Sequence, residues 1–298
     1  MASRTKGYSS SGSLRKCVFI LCAITTAIAV VICAYYLTRR GVDRFRLHRQ
    51  QELLLESVSP TMVPISPTFL PSTPVPAVTE EPAPTPEPTP VVYEVLPEYR
   101  ELYELNGDLI GWLRIDDTLI DYPVVQTPED ETEYLNLDFF REPNSNGTLI
   151  MDTDSTVGIG TAALAYRDGE APSTNLIIHG HTMKSGEMFG NLVYYENESY
   201  GKEHSVIYFD SLYEHREYEL ISVFYTQVYY AYEDVFKYYK FFNAENQEEF
   251  DDWYDNIKAL SIYDTGVTAE LGDEFITLSC CSYQVEDGRF VVVGKRTD

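Results

Sequence analysis

Hydrophobic and polar positions fall into three regimes along the chain. The first is Cys17 to Leu37, "CVFILCAITTAIAVVICAYYL", 21 residues without a charge. As a helix at about 1.5 Å per residue, such a run spans ~31 Å, the thickness of a bilayer core. A secretory signal carries a shorter apolar region, about 7–15 residues, followed by small residues at a cleavage site. This run is longer and passes into Tyr35, Tyr36 and Arg39-Arg40, which suits an uncleaved anchor. The second regime has no periodicity. Residues 42–57 read as a short continuing helix. Twelve of the 16 prolines then fall between Pro60 and Pro97. Proline fixes φ and removes a donor, so this segment builds neither a helix nor a ladder. It reads as a polyproline-like spacer with a reach on the order of 100 Å at ~3.1 Å per residue.

The third regime runs from near Leu96 to Asp298. A short helical pattern (Tyr99, Leu102, Tyr103, Leu105) turns at Asn106-Gly107 into a strand around Ile110–Ile115. "LIDYPVVQ" reads as a strand whose proline places it at an edge or bend. "GTLIMD", "NLIIHGH", "SVIYFD", "EYELISVFYTQV", "FITLSC" and "RFVVVGKR" are further short strand patterns, separated by Gly, Asn, Asp and Pro clusters. The long helix is predicted over Ala244–Ser261. There Phe250, Trp253, Tyr254, Ile257 and Leu260 recur at helical spacing, and acids crowd the first turns. Eight or so strands with few helices predict a β-barrel or a sandwich with added helices.

Charge narrows the function. Residues 1–50 hold nine Lys/Arg and one acid, so of 22 bases and 47 acids the remainder keeps 13 and 46, a balance of -33. Such a surface repels phosphates and anionic lipid, which excludes a nucleic-acid role and leaves only the N-terminal part to approach a membrane. Four bases precede the apolar run and five follow it, so the positive-inside rule leaves its orientation open. Outside that run the only cysteines are Cys280 and Cys281. Adjacent Cα atoms lie about 3.8 Å apart, below the roughly 4.4 Å lower edge for ordinary disulfides. No disulfide framework and no zinc-ligand cysteine spacing exists.

Three places can carry chemistry. In a strand over residues 274–281, Ile276, Leu278 and Cys280 share an apolar face, and Thr277, Ser279 and Cys281 a polar one. Cys280 reads as a small buried hydrophobe. Cys281 emerges at the strand end, either as a reachable thiol or as a second packed one. In "NLIIHGHTMKSGEMFGNL", His179 and His181 end an apolar strand with both rings on one face, a spacing shared with metal ligands. His181 precedes a turn, where a side chain can face a cleft. His204 and His215 sit among charged loop residues and read as solvated. Arg289 opens the last strand. Its fixed-geometry donors suit a thiolate or a developing oxyanion, and a surface salt bridge with Glu286 or Asp287 is the alternative. Cys281, His181 and Arg289 together make a thiol nucleophile, a proton carrier and a cationic stabiliser, a set suited to acyl transfer through a thioester.

At these residues the chain resembles the class B sortases, membrane-anchored cysteine transpeptidases of Gram-positive bacteria. The resemblance covers Tyr99 to Lys295 and rests on "ELYELNGDLIGWLRI", "DYPVVQ", "YLNLDF", "GTLIMD", "IIHGHTMKSGEMFGNL" and "TLSCCSY…DGRFVVVGK". It implies a mainly β fold: a closed eight-stranded sortase-type barrel with an N-terminal helical segment and a long helix between strands six and seven. The implied layout is a cytoplasmic tail (1–16), a transmembrane anchor (17–37), a juxtamembrane segment (38–59), a proline-rich linker (60–96) and an extracytoplasmic catalytic domain (97–298). It makes Cys281 the nucleophile, His181 the general acid/base and Arg289 the oxyanion or substrate stabiliser, with Ser279, Cys280 and Thr182 contacting substrate. It calls for no metal and no organic cofactor. Its partners are secreted proteins bearing a C-terminal sorting motif, and an amine of a peptidoglycan precursor or of a pilin lysine. The chain departs from the family pattern at Cys280, where threonine is usual. His179 stands where tyrosine is common, and Thr182 where asparagine or arginine is frequent. Two other readings stand beside this one: a noncatalytic wall-facing binding module, and a metal-dependent hydrolase built on His179 and His181.

Overall fold

The computed structural model describes residues 11–58, 94–159 and 171–297. The chain divides into two compact units, Met1–Gln50 and Gln51–Asp298. A helix, α1, runs over Ser11–Val58. The backbone of the expected anchor at 17–37 is therefore described as helix, with side chains described at 21–22 and 24–37. Among the described residues no helix is long and apolar enough to cross a membrane. Most of the predicted tail and of the proline-rich linker lies outside them.

In the second unit, α2 (Pro97–Leu105) leads into β1 (Leu109–Arg114) and β2 (Asp121–Val125). After β3 (Leu149–Met151) and β4 (Asn175–Gly180) come a short α3 (Glu198–Glu203), β5 (Val206–Ser211) and β6 (Glu217–Gln227). The chain closes with α4 (Gln247–Leu260), β7 (Phe275–Cys281) and β8 (Gly288–Arg296). The strands pair in the order β1-β2-β3-β4-β7-β8-β6-β5, and β5 returns to β1 through Gly111↔Ser211, closing the ring. Pro123 does not mark an edge. β2 pairs along its length with β1 but meets β3 only at Val124 and Val125, so the missing N–H lies beyond the reach of β3.

The alternation read at the start of β7 holds, and both faces are covered. Ile276, Leu278 and Cys280 face the barrel interior, where Gly294 of β8 approaches Ile276 and Ile207 of β5. The opposite face carries Phe275, which packs with Val291 and Val293 beneath α4. Helix α4 is set by local signals. The Asn246 side chain accepts from the Glu249 N–H, Glu248 and Glu249 occupy the first turn, and Lys258 the last. Its buried stripe is narrower than predicted: Phe250, Trp253 and Ile257 are buried, but Leu260, the last residue of the helix, is 42% exposed. Each fully buried side chain of this size contributes about 1.5–3 kcal/mol.

Helix α2 starts with Pro97, whose fixed φ suits the first turn, and buries Tyr99 and Leu102. It ends at Asn106, whose amide donates to Tyr134 Oη and the Phe139 carbonyl, both at 2.8 Å. This cluster also holds Leu54, so the end of α1 adds to the domain core ahead of the proline-rich segment. Gln51 Nε2 donates to the Asp121 carbonyl at 3.1 Å.

Candidate active site

Strand register assembles the site. β4 and β7 run parallel with Gly180 level with Cys280, and β7 and β8 run antiparallel with Cys281 opposite Arg289. His181, one residue beyond Gly180, therefore stands level with Cys281. Neighbouring strands lie about 4.8 Å apart and paired side chains project to the same face. His181, just past the end of β4, thus forms a row with Cys281 on β7 and Arg289 on β8. All three line one cleft of about 460 Å³ at this end of the barrel.

Gly180 lets the row form. A Cβ there would sit 2.5 Å from Leu149 Cδ2 and 2.7 Å from the Phe189 ring, so only glycine fits between the two histidines that face the other way. His181 Nε2 lies 2.8 Å from the Leu135 carbonyl oxygen. A carbonyl only accepts, so Nε2 carries a hydrogen and Nδ1 is the nitrogen left to exchange a proton in the cleft. Arg289 Nη1 donates to the carbonyls of Gly288 (3.0 Å) and Asp287 (3.3 Å). No carboxylate pairs with it among the described residues, so the alternative of a salt bridge with Glu286 or Asp287 is not what the structure contains.

The two cysteines differ sharply. Cys281 is exposed, while Cys280 is 2% exposed. Burial pushes the Cys280 thiol up to about 12, which keeps it protonated and unreactive at neutral pH. Both are free thiols. The alternation that sends them to opposite faces of an extended strand also keeps their sulfurs apart.

The remaining predicted contacts are placed less simply. Ser279 lines the cleft wall but is 1% exposed, and its hydroxyl shares a 2.7 Å hydrogen bond with Tyr238 Oη. Thr277 is likewise covered and donates to Asn175 Oδ1 at 2.8 Å. The polar face of β7 is therefore polar but roofed. Thr182 is not among the cleft residues; its hydroxyl donates to the Cys281 carbonyl at 2.6 Å and holds the backbone at the strand end. His215 lies between Glu98 and Asp210, and His204 stacks on Tyr200, so neither is merely solvated and neither enters the cleft.

Three features escaped the sequence reading. Tyr238 roofs Ser279 from a segment, 228–243, whose aromatics show no period. The Leu135 carbonyl that orients His181 is a backbone group with no sequence signature. His179 pairs through Nε2 with Asp152 Oδ2 at 3.2 Å, because Ile150↔His179 register brings the residue just after β3 beside it. His179 and His181 do share a face, as their spacing predicts, yet they bond to different partners. Among the described residues no group of three or more His, Cys, Asp or Glu is placed to hold a metal.

No family model matches the chain. Sortase B of Listeria monocytogenes is 32% identical over 204 residues, 68% of this chain and 75% of the relative. The chain belongs to the class B sortases. Sortase B of Staphylococcus aureus is 30% identical over 204 residues, 67% of this chain and 75% of the relative. Among solved structures, an S. aureus sortase B–substrate complex superimposes with a TM-score of 0.58 at 28% identity, covering 68% of this chain and 86% of that one. Bacillus anthracis sortase B in complex with AAEK1 gives 0.57 at 29% identity, with the same coverage. Sortases are cysteine transpeptidases, and this chain is one, which displaces the binding-module and metal-hydrolase readings.

Proposed function

We propose that Cys281 cleaves a C-terminal sorting motif of secreted proteins and passes them to an amine. The observation that carries this is the row of His181, Cys281 and Arg289, with Cys281 the exposed member of the thiol pair. The Cys281 thiolate attacks the scissile carbonyl, which by resemblance is that of a threonine. The tetrahedral oxyanion forms beside Arg289, whose guanidinium is occupied only by carbonyls and keeps donors for it. Collapse breaks the C–N bond. Imidazolium His181 gives its Nδ1 proton to the departing amine, while the Leu135 carbonyl retains Nε2–H. An acceptor amine then displaces the thiolate from the thioester and forms a new amide. The acceptor belongs to a peptidoglycan precursor or a pilin lysine.

The reading also places the enzyme at the cell membrane as a single-pass protein with its catalytic domain outside. The uncharged run from Cys17 to Leu37 supports this, as does the exposure of Leu21, Ile28, Val31 and Leu37, apolar side chains that water disfavours. The proline-rich segment then holds the domain away from the bilayer. The solved S. aureus complex with a substrate supports a peptide in this cleft. Incubating the full chain in detergent with quenched sorting-motif peptides and glycinamide is expected to release fluorescence and yield the cleaved peptide joined to glycinamide, read by mass spectrometry. Failure across a broad motif library, with no acyl-enzyme mass on Cys281, would overturn the reading.

Arg289→Lys is expected to lower kcat/KM about 10- to 100-fold, because an ammonium presents a point charge without the planar fork. Parent-like kcat/KM in that variant would show that charge alone suffices.

A further inference from the structure

The cleft is electrically two-sided. Arg289 stands on the β8 side, Glu131, Asp152 and Asp154 gather at the end of β3 on the other side of β4 and β7, and Lys240 also lines the cleft. The oxyanion of acyl transfer belongs with the Arg289 guanidinium beside Cys281. The acceptor, a primary amine and therefore an ammonium at neutral pH, belongs with the acids. On that acidic wall sits the one cleft histidine the mechanism above leaves unused. His179 shares a face with His181 two residues away, about 6.7 Å along the strand. Its side chain is 30% exposed, while that of its partner Asp152 is 9% exposed. Asp152 is further fixed by the Asp154 N–H on Oδ1 at 3.0 Å. Burial alone would raise Asp152, but the hydrogen bonds from His179 and the Asp154 N–H outweigh it and hold the carboxyl below its usual range. An ionised, anchored carboxylate on Nε2 fixes the tautomer, leaves the lone pair on Nδ1, and stabilises the imidazolium that forms when Nδ1 takes a proton.

Resting on the transpeptidase reading above, we infer that His179 and Asp152 form a second proton-handling pair that activates the acceptor amine on the acidic wall. The ammonium gives one proton to His179 Nδ1 and becomes a neutral amine. Its nitrogen lone pair attacks the thioester carbonyl, the C–N bond forms, and the second proton passes to neutral His181 Nδ1. The C–S bond breaks with its electron pair on Cys281, restoring the thiolate beside imidazolium His181. His179 then releases its proton to solvent. Two histidines thus divide two proton transfers: His181 serves the bond that breaks and the bond that forms, and His179 prepares the nucleophile.

The test uses the full chain with a cleaved peptide and measures how the acyl-enzyme divides between water and an added nucleophile. Two nucleophiles are compared at pH 7: glycinamide, which arrives largely as an ammonium, and hydroxylamine, which arrives largely uncharged. In His179→Phe and Asp152→Asn the second-order constant for glycinamide is expected to fall at least tenfold more than the acylation rate does. The deficit against hydroxylamine should be under threefold. Equal losses with both nucleophiles would assign the pair a packing role and overturn the inference, as would an unchanged glycinamide constant. His179→Phe, at a partly exposed position, keeps the test valid if Asp152→Asn fails to fold. Absence of any thioester in the parent would sink the transpeptidase reading and this one together, whereas a thioester with unaltered partitioning sinks only the second.

Discussion

Cys281→Ala is expected to reduce peptide cleavage by about 10⁴-fold or more, the scale on which covalent catalysis fails when its nucleophile is lost. Cys280→Ala should keep cleavage within a few-fold of the parent. The two residues are adjacent, so the contrast isolates side-chain direction. Cys281 emerges into the cleft between His181 and Arg289, while Cys280 points into the barrel opposite Phe290, its thiol pushed up to about 12 by burial. Removing the Cys280 sulfur takes one buried atom from the core and is expected to cost about 1 kcal/mol of stability. Thiol labelling of the native chain adds a separate readout. Among the cysteines of the catalytic unit, Cys281 should react within minutes at neutral pH and Cys280 only on unfolding. Cleavage that survives Cys281→Ala but not Cys280→Ala would mean that the end of β7 is out of register by one residue and that the whole row of cleft residues is misassigned.

That register was legible in the sequence because it rests on alternation, a local property. Ile276, Leu278 and Cys280 are apolar, Thr277 and Ser279 are polar, and the backbone obeys. The chain's own spacing also put His179 and His181 on one face. What the sequence could not carry is what covers or completes those faces. Ser279 meets Tyr238 and His179 meets Asp152 across 41 and 27 residues, and such partners are chosen by strand order. The parallel pairing of β4 with β7, on which the level placement of His181 and Cys281 depends, spans an intervening β5–β6 hairpin and the two helices α3 and α4. Recognition of the family bridged that gap. It did not reach His179–Asp152, where this chain departs from the common pattern, nor the burial of Leu54 in the domain core.

The other large effect is expected at Trp253. Its ring stacks on Phe241 at 4.4 Å between centroids and meets Phe275 edge-on at 4.7 Å. It thereby joins α4 both to the first residue of β7 and to the 238–243 segment. That segment is tied to β4 by its backbone: the Phe242 carbonyl accepts from the Asn175 N–H at 2.9 Å, and the Phe241 carbonyl from Asn175 Nδ2 at 3.0 Å. Trp253→Ala removes the largest fully buried side chain among the described residues and leaves a cavity that a helix pinned at both ends cannot collapse. The expected cost is about 3–5 kcal/mol. For a domain of this size it appears as a melting temperature lower by roughly 10 °C, at about 2–4 °C per kcal/mol. Because Tyr238 roofs Ser279 from the same segment, cleavage should become heat-sensitive below the new melting temperature, with the cleft loosening before the barrel. Trp253→Phe, which keeps an aromatic face against Phe241, should recover at least half of the lost stability. A melting temperature within 3 °C of the parent for Trp253→Ala would mean that α4 is a peripheral addition and that the strands alone hold the catalytic row in place.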